Sequence, residues 1–501
     1  MAVVSYGRRI DMLAEEKPEA RALTFLSTNG IATELSRDRL AARSSQVARH
    51  LGELGVHAGS YVAIGLPNCI DHVVSAIATW KLGATPVPIR HDVPEAERSE
   101  ILKLVRPATV IADWTGCDCA LLDRRALKET EHDDAQPLPD QTPLTRFGIC
   151  SGGSTGRPKL ILDARPATID LETFGDPFLA EMGWCAGRTH LVAGPLYHAN
   201  GFSLTHLALM IGQHTILLER FNAAQWLDAV EQYRVNCGSL VPTMMFRLLR
   251  EPGIRKRDLS SIESIYHGGA SCAGWLKRGW IELLGPKKIY EGFGSTEAIG
   301  ETLIRGDEWL AHPGSVGRGV YCDIRILDTA RNDVPTGTIG EIFMRWKTSQ
   351  SATYRYVGHE PAETTPDGFT SVGDMGWIDA EGYLYVADRR TDMIISGGAN
   401  IYPAEVEAAI LQHPGIIDAA VVGLPDEEWG KRVHAIVVPA DQNQPPTASQ
   451  LDSHCRKILT RYKVPKSFEF VSELPRNEIG KIRKVDLVAA RAAATPTGAS
   501  W

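Results

Sequence analysis

The stretch CSGGSTGRPKL, Cys150 to Leu160, sets three glycines, three hydroxyl side chains and two cations within eleven residues. Backbone N–H groups unshielded by a Cβ approach an anion closely, Ser151, Ser154 and Thr155 can donate hydrogen bonds, and Lys159 adds charge. The composition suits a polyphosphate. The spacing is not that of the P-loop, G-x-x-x-x-G-K-[ST], because Arg157 and Pro158 separate Gly156 from Lys159 and Leu160 follows the lysine. Taken alone, the stretch reads equally as a flexible surface loop. RFGIC ahead of it predicts a short strand that delivers the loop to the carboxyl ends of a sheet, where open α/β folds bind ligands.

Outward from the loop, short apolar runs alternate with helical patterns. YVAIGLP, TPVPI and ATVIAD predict strands, and CIDHVVSAIATWKLGA predicts a helix ending near Gly83. The same grammar returns in HTILLE, in a helix with Trp226, Leu227, Val230 and Tyr233 on one face, and in CGSLVP. Strands of such continuous apolarity belong to parallel sheets covered on both sides. From Gly314 the texture changes to GSVGRGVYCDIRILD, GEIFMRW and GYLYVADR, a β-rich unit closing the large domain. A small α+β domain follows, its first helix opening at Pro403 and Glu405 with Val406, Ala409 and Ile410 facing inward, and two strands after it. The expected fold is therefore α/β: a large domain, residues 1–390, of two α/β sheet subdomains and a β-rich subdomain, then a mobile small domain, residues 391–501. The boundary is placed at Arg389 to Asp392, PADQNQPPTASQ reads as a loop, and the tail from residue 489 reads as disordered.

With 501 residues and 44% hydrophobic content the chain can bury large interiors in more than one domain. Nine irregularly placed cysteines without a C-x-x-C argue against a zinc site or a disulfide framework and for a reducing cytoplasm. MAVVSYGRRIDMLAEE becomes charged too early for a signal peptide, and no window approaches eighteen uninterrupted apolar residues. A net charge of −8 gives no support for nucleic-acid binding.

Further segments bear on the loop. YEGFGSTE puts Phe293 between Gly292 and Gly294, with Thr296 and Glu297 following; an aromatic to lie on a flat base and a carboxylate to face a phosphate-bound metal. SVGDMGW offers Asp374, read in a tight turn, to ribose hydroxyls. DRRTDMIISGGANIYPAEVE holds Arg389, and PRNEIGKIRK presents Lys481 after Gly480. Each has a plainer reading: Asp374 as a turn cap, Phe293 as core, Lys481 as a solvated charge.

Together and in this order the segments resemble the adenylate-forming enzymes, the superfamily of acyl-CoA synthetases, firefly luciferase and nonribosomal peptide synthetase adenylation domains, with the acyl-CoA synthetases nearest. The resemblance runs from residue 20 to residue 487. It implies that Ser151, Gly152, Gly153, Ser154, Thr155, Gly156 and Lys159 clasp ATP phosphates, that HGGA, His267 to Ala270 with Gly268 and Gly269, forms the adenine pocket with Phe293, and that Glu291, Gly292 and Gly294 also bind the nucleotide. Thr296 would meet a phosphate, Glu297 magnesium, and Asp374 and Arg389 the ribose. Lys481 would be the catalytic lysine, acting with Lys159, Thr155 and His198, and Thr391 the hinge. Two positions depart from the family pattern: Leu160 replaces a glycine, and Thr391 replaces Asp or Lys.

The implied reaction is attack of a carboxylate on the α-phosphorus of ATP, then transfer of the acyl group from the adenylate to the thiol of coenzyme A. His198 of PLYHANG stands where members that activate α-amino acids carry an aspartate, which favours an acid without an α-amine, of bulky alicyclic, terpenoid-like, aromatic or medium-chain type. His198, Asn200, Gly201, Met244 and Gly268 are the expected acyl contacts; Met244, Met245 and Phe246 also read as core. Ser396, Gly397 and Gly398 would border the pantetheine path, while Lys431 and Arg432 would meet CoA phosphates or remain ordinary surface cations. A ligase loading a separate carrier protein and a noncatalytic acyl- or nucleotide-binding protein stay open as alternatives, and so does a homodimer.

Overall fold

The computed structural model of the chain describes residues 3–116, 119–152, 158–172, 177–347, 353–389, 392–396, 399–426, 429–476 and 481–492. Two sheets carry the α/β part. The larger runs, edge to edge, through Arg318–Gly319, Glu301–Arg305, Ile289–Gly294, Ser264–Gly268, Cys237–Leu240, Thr189–Val192, His214–Leu218, Arg21–Leu26 and Ala32–Ser36. Its middle strands are all parallel, and antiparallel neighbours close both edges. The smaller sheet is parallel throughout, in the order Thr85–Pro88, Tyr61–Gly65, Thr109–Ala112 and Ala120–Leu122.

Both sheets send side chains into one core. The helix Ile70–Lys81 lies in it, and Trp80, 0% exposed, touches Tyr6, Phe202 and His206 with ring centroids 5.0, 5.8 and 4.9 Å away. Phe202 and His206 belong to the helix Ala199–Ile211, so the aromatic cluster fixes the helix that starts at His198. Gly212, with φ of +89°, stops that helix in the left-handed conformation glycine adopts at little cost.

The opening loop sits differently from expectation. Phe147–Gly152 is the predicted strand, but it forms an antiparallel hairpin with Pro158–Asp163, and Tyr354–Val357 adds a third strand beside the second. The loop therefore joins two antiparallel strands and precedes no helix: Leu160 and Leu162 are wholly buried, and an extended strand brings both to the core. Leu160 packs with Val87, Val110 and Ile101, which explains the departure at that position as packing.

The β-rich unit is an antiparallel sheet of Cys322–Leu327, Gly340–Trp346, Thr370–Ile378 and Leu384–Arg389. After it come the strands Ile416–Asp426, Gly430–Pro439 and Ser467–Phe470 with the helices Pro403–Ile410 and Ala448–Ile458, the expected small α+β unit. Two readings need correction here. PADQNQPPTASQ is a loop only in its first part, because Thr447 and Gln450 form a capping box that opens a helix at Ala448. The helix Lys484–Ala492 runs three residues past 489, where the tail was expected to begin, and is held by Arg491, whose guanidinium donates to both oxygens of Glu469 at 2.6 and 2.7 Å.

Candidate active site

The hairpin aims Lys159 at the turn after Ile289–Gly294. Lys159 Nζ donates to Glu297 Oε1 at 3.1 Å, and the Tyr356 hydroxyl donates to the same oxygen at 2.6 Å. The ammonium lies 3.4 Å from the Tyr356 oxygen and 4.4 Å from the ring centroid, a cation–π distance. Burial alone would raise the pKa of Glu297, but the Tyr356 hydrogen bond and the charge of Lys159 outweigh it and keep the carboxylate below its ordinary value. Glu297 is thus ionised at neutral pH. Among the described residues no group of three or more His, Cys, Asp or Glu side chains could hold a metal. One ionised carboxylate nevertheless fits magnesium, which is commonly held by one or two carboxylates plus substrate phosphates.

The turn bearing Glu297 is itself clamped. Ala298 takes φ of +50°, uncommon for a residue with a Cβ, and its carbonyl accepts from Trp346 Nε1 at 2.6 Å and Thr353 Oγ1 at 2.9 Å. Thr353 Oγ1 also lies 3.2 Å from the carbonyl of Glu297.

His198 precedes the helix Ala199–Ile211 at the carboxyl end of the sheet. Burial, with the nearby charges of Lys481 and Arg90, lowers its pKa to about 4, so the imidazole is neutral and able to donate or accept. Lys481, from the last motif of the chain, is thereby placed close enough for its charge to act on His198. Gly268 and Gly292 are paired on neighbouring strands, and a Cβ at either would come within 2.8 Å of the Tyr266 hydroxyl. Asp374 is not in a turn. It lies within the strand Thr370–Ile378, half-buried and in backbone register with Arg389.

Several expected contacts go elsewhere. Glu291 is buried, its carboxylate in an ion pair with Lys277 at 2.6 Å, and Lys277 lies 5.0 Å from the Trp309 ring centroid. Lys277 escaped sequence reading because WLKRGW looks like an ordinary amphipathic helix. Met244 is 4% exposed in the core cluster of Trp226 and Trp280. A Cβ at Gly201 would stand 2.3 Å from the carbonyl oxygen of Pro195, so that glycine is required by helix packing. Asn200, Ala270, Phe293 and Thr296 are half-buried, Gly269 and Gly294 are exposed, and Ser396 is buried. Lys431 is exposed, and Arg432 donates to the carbonyl of Pro425 at 3.2 Å. Gly153, Ser154, Thr155, Gly156, Thr391, Gly397 and Gly398 lie outside the described residues, as do the side chains of Ser151 and Arg389. Tyr356 was missed: TYRYV carries no motif, and only the strand pairing brings it to Lys159.

Comparison with known proteins agrees with this geometry. Residues 10–354 match the family of AMP-binding enzymes, and residues 405–481 match the AMP-binding enzyme C-terminal domain. A feruloyl-CoA synthase of an Amycolatopsis species is 33% identical over 94% of this chain and 96% of its own length. A long-chain-fatty-acid–CoA ligase of Mycobacterium tuberculosis is 30% identical over 98% of this chain and 99% of its own. The solved o-succinylbenzoate CoA synthetase of Bacillus subtilis, in complex with its acyl-adenylate intermediate, superposes with a TM-score of 0.80 at 27% identity, covering 97% of this chain and 98% of that one. The same enzyme is also known in complex with ATP and magnesium ion. The chain belongs to the AMP-binding enzyme family and is an acid–thiol ligase of the acyl-CoA synthetase type, using ATP, magnesium and coenzyme A.

Proposed function

We propose that the carboxylic acid is hydrophobic and lacks an α-amine, and that activation and transfer are divided between two placements of the small domain, residues 391–501. The neutral His198 supports the first point, since it offers no fixed negative charge to an ammonium group. Relatives named for feruloyl and long-chain fatty acyl groups support it further. The substrate class is a bulky alicyclic, terpenoid-like, aromatic or medium-chain acid.

In the first half-reaction two anions must be brought together, and positioned cations supply most of the rate. Lys159 and the loop hydroxyls of Ser154 and Thr155 hold the phosphates, Asp374 and Arg389 hold the ribose, and Glu297 holds magnesium, which when bound neutralises phosphate charge. His198 donates to the substrate carboxylate, and Lys481 stabilises the charge developing between that carboxylate and the α-phosphate. The carboxylate oxygen bonds to the α-phosphorus as the bond to pyrophosphate breaks. In the second half-reaction the thiolate of coenzyme A attacks the acyl carbon and AMP leaves with the electron pair of the broken C–O bond. No nucleophile of the enzyme takes part.

The observation that carries this reading is the largely buried Lys159–Glu297 pair, 3.1 Å apart, which joins the strand after the glycine-rich loop to the turn expected to hold magnesium. Coenzyme A is the acceptor in preference to a carrier protein, with Ser396, Gly397 and Gly398 along the thiol path and Lys431 and Arg432 toward its phosphates. A cytoplasmic site of action fits the use of ATP and coenzyme A, and no described helix is long and apolar enough to cross a membrane.

The test is a panel of carboxylic acids with ATP and magnesium, with and without coenzyme A, read by mass spectrometry. The expected products are an acyl-adenylate without coenzyme A and a thioester with it, for hydrophobic acids and not for α-amino acids. Preferential activation of an α-amino acid would contradict the reading of His198, and an adenylate that only a carrier protein discharges would contradict the acceptor.

A further inference from the structure

Tyr356 has no part in the two half-reactions, yet it touches both Lys159 and Glu297. Its strand, Tyr354–Val357, pairs with the strand bearing Lys159, with Tyr356 opposite Ile161. The hydroxyl donates to Glu297 at 2.6 Å while the ring lies 4.4 Å from the Lys159 ammonium. Lys159 and Glu297 are only 20% and 12% exposed at the side chain, so their 3.1 Å ion pair is largely shielded from water. The same part of the chain fixes the backbone of the Glu297 turn through Trp346 and Thr353.

We propose that Tyr356 is a positioning residue that holds Lys159 and Glu297 as a mutually neutralising pair before the nucleotide binds, and thereby couples ATP binding to magnesium binding. This rests on the assignment of Lys159 to phosphate and Glu297 to magnesium. ATP entering alone draws Lys159 away and leaves the carboxylate charge beside its own phosphates. A cation entering alone meets a carboxylate already neutralised by an ammonium. Together, each ligand compensates the group that the other releases, and the Tyr356 hydroxyl keeps the carboxylate in place once Lys159 has left it.

The test measures binding of a nonhydrolysable ATP analogue by calorimetry, in magnesium and in chelator, to wild type, Tyr356→Phe, Glu297→Gln and the double variant. Tyr356→Phe keeps the ring under Lys159. It is expected to bind the analogue within about twofold of wild type in chelator and to lose roughly tenfold of the enhancement by magnesium, the size of one charge-assisted hydrogen bond. In turnover the loss is expected in KM for magnesium-ATP more than in kcat, and in the Glu297→Gln background the tyrosine substitution should add nothing. If Glu297→Gln abolishes the enhancement and Tyr356→Phe retains it, the inference about Tyr356 is overturned and the role of Glu297 stands. If Glu297→Gln itself retains the enhancement, the magnesium assignment falls. Equal loss with and without magnesium in Tyr356→Phe would make the tyrosine merely structural and overturn the proposal.

Discussion

At the scale of single residues, burial decides which groups carry charge. His72 and His267 are pushed down to about 4 and His190 and His206 to about 3, in each case chiefly by desolvation. His190 and His267 have no hydrogen-bond partner at either ring nitrogen. With His198 these imidazoles stay neutral in the folded chain, while the unfolded chain takes up protons near the ordinary value of 6.5. Between pH 6.5 and about 4 the unfolded state therefore binds more protons, and each such group removes up to about 1.4 kcal/mol of stability per pH unit as pH falls. The melting temperature should drop steeply as pH is lowered from 6.5 to 4.5, and a flat profile would show that these rings are reached by water. Lys159 and Glu297, which the structure brings together, stood out in the sequence because adjacent glycines and hydroxyls mark their segments, whereas His198 and Lys481 were singled out through the family resemblance. Tyr356 and Lys277 were not, since a tyrosine in a strand and a lysine on an amphipathic helix acquire meaning only from what lies across from them.

At the scale of elements, the apolar runs identified strands such as Tyr61–Gly65, Thr109–Ala112, His214–Leu218 and Gly340–Trp346, but missed others, Pro158–Asp163 and Tyr354–Val357 among them, and did not say which strands would pair. The hairpin around the opening loop shows why: RFGIC reads as a strand of either sheet, the residues after the loop read only as part of it, and three-dimensional pairing makes Pro158–Asp163 its antiparallel partner beside Tyr354–Val357. A comparable contact links Leu384–Arg389 to the small domain. Asp388 Oδ2 accepts from the backbone N–H of Ala404 at 2.8 Å, in the first turn of Pro403–Ile410, and lies 3.4 Å from Lys484 Nζ. Burial opposes the charge of Lys484, yet Glu407 and Asp388 outweigh it and raise its pKa. Removing Asp388 leaves Lys484 paired with Glu407 at 3.1 Å, so the small domain keeps its own ion pair. Asp388→Ala should therefore weaken the orientation that brings Lys481 to His198 by about 1 to 2 kcal/mol, the value of a helix cap. Adenylate formation should slow roughly tenfold while thioester formation from a supplied acyl-adenylate is retained. Equal slowing of both half-reactions in a folded variant would place Asp388 outside the orientation balance.

At the scale of the whole molecule, the sequence yielded the two α/β sheets, the β-rich unit and the small α+β unit, because each has its own hydrophobic periodicity. It left out how the last segment returns to the large sheet, since that depends on contacts between residues hundreds of positions apart. In the structure the lysine of the final motif acts on a histidine that opens a helix of the large α/β part. Chemistry divided in this way predicts that one substitution separates the half-reactions. Loss of a charge-assisted contact at a developing transition state costs about 3 to 4 kcal/mol. The decisive measurement is rapid-quench kinetics on Lys481→Ala, following adenylate formation from acid and ATP and thioester formation from supplied acyl-adenylate and coenzyme A in one folded preparation. The account predicts that the first rate falls by roughly two to three orders of magnitude while the second stays near wild type; equal loss of both, or an undiminished first rate, would contradict it.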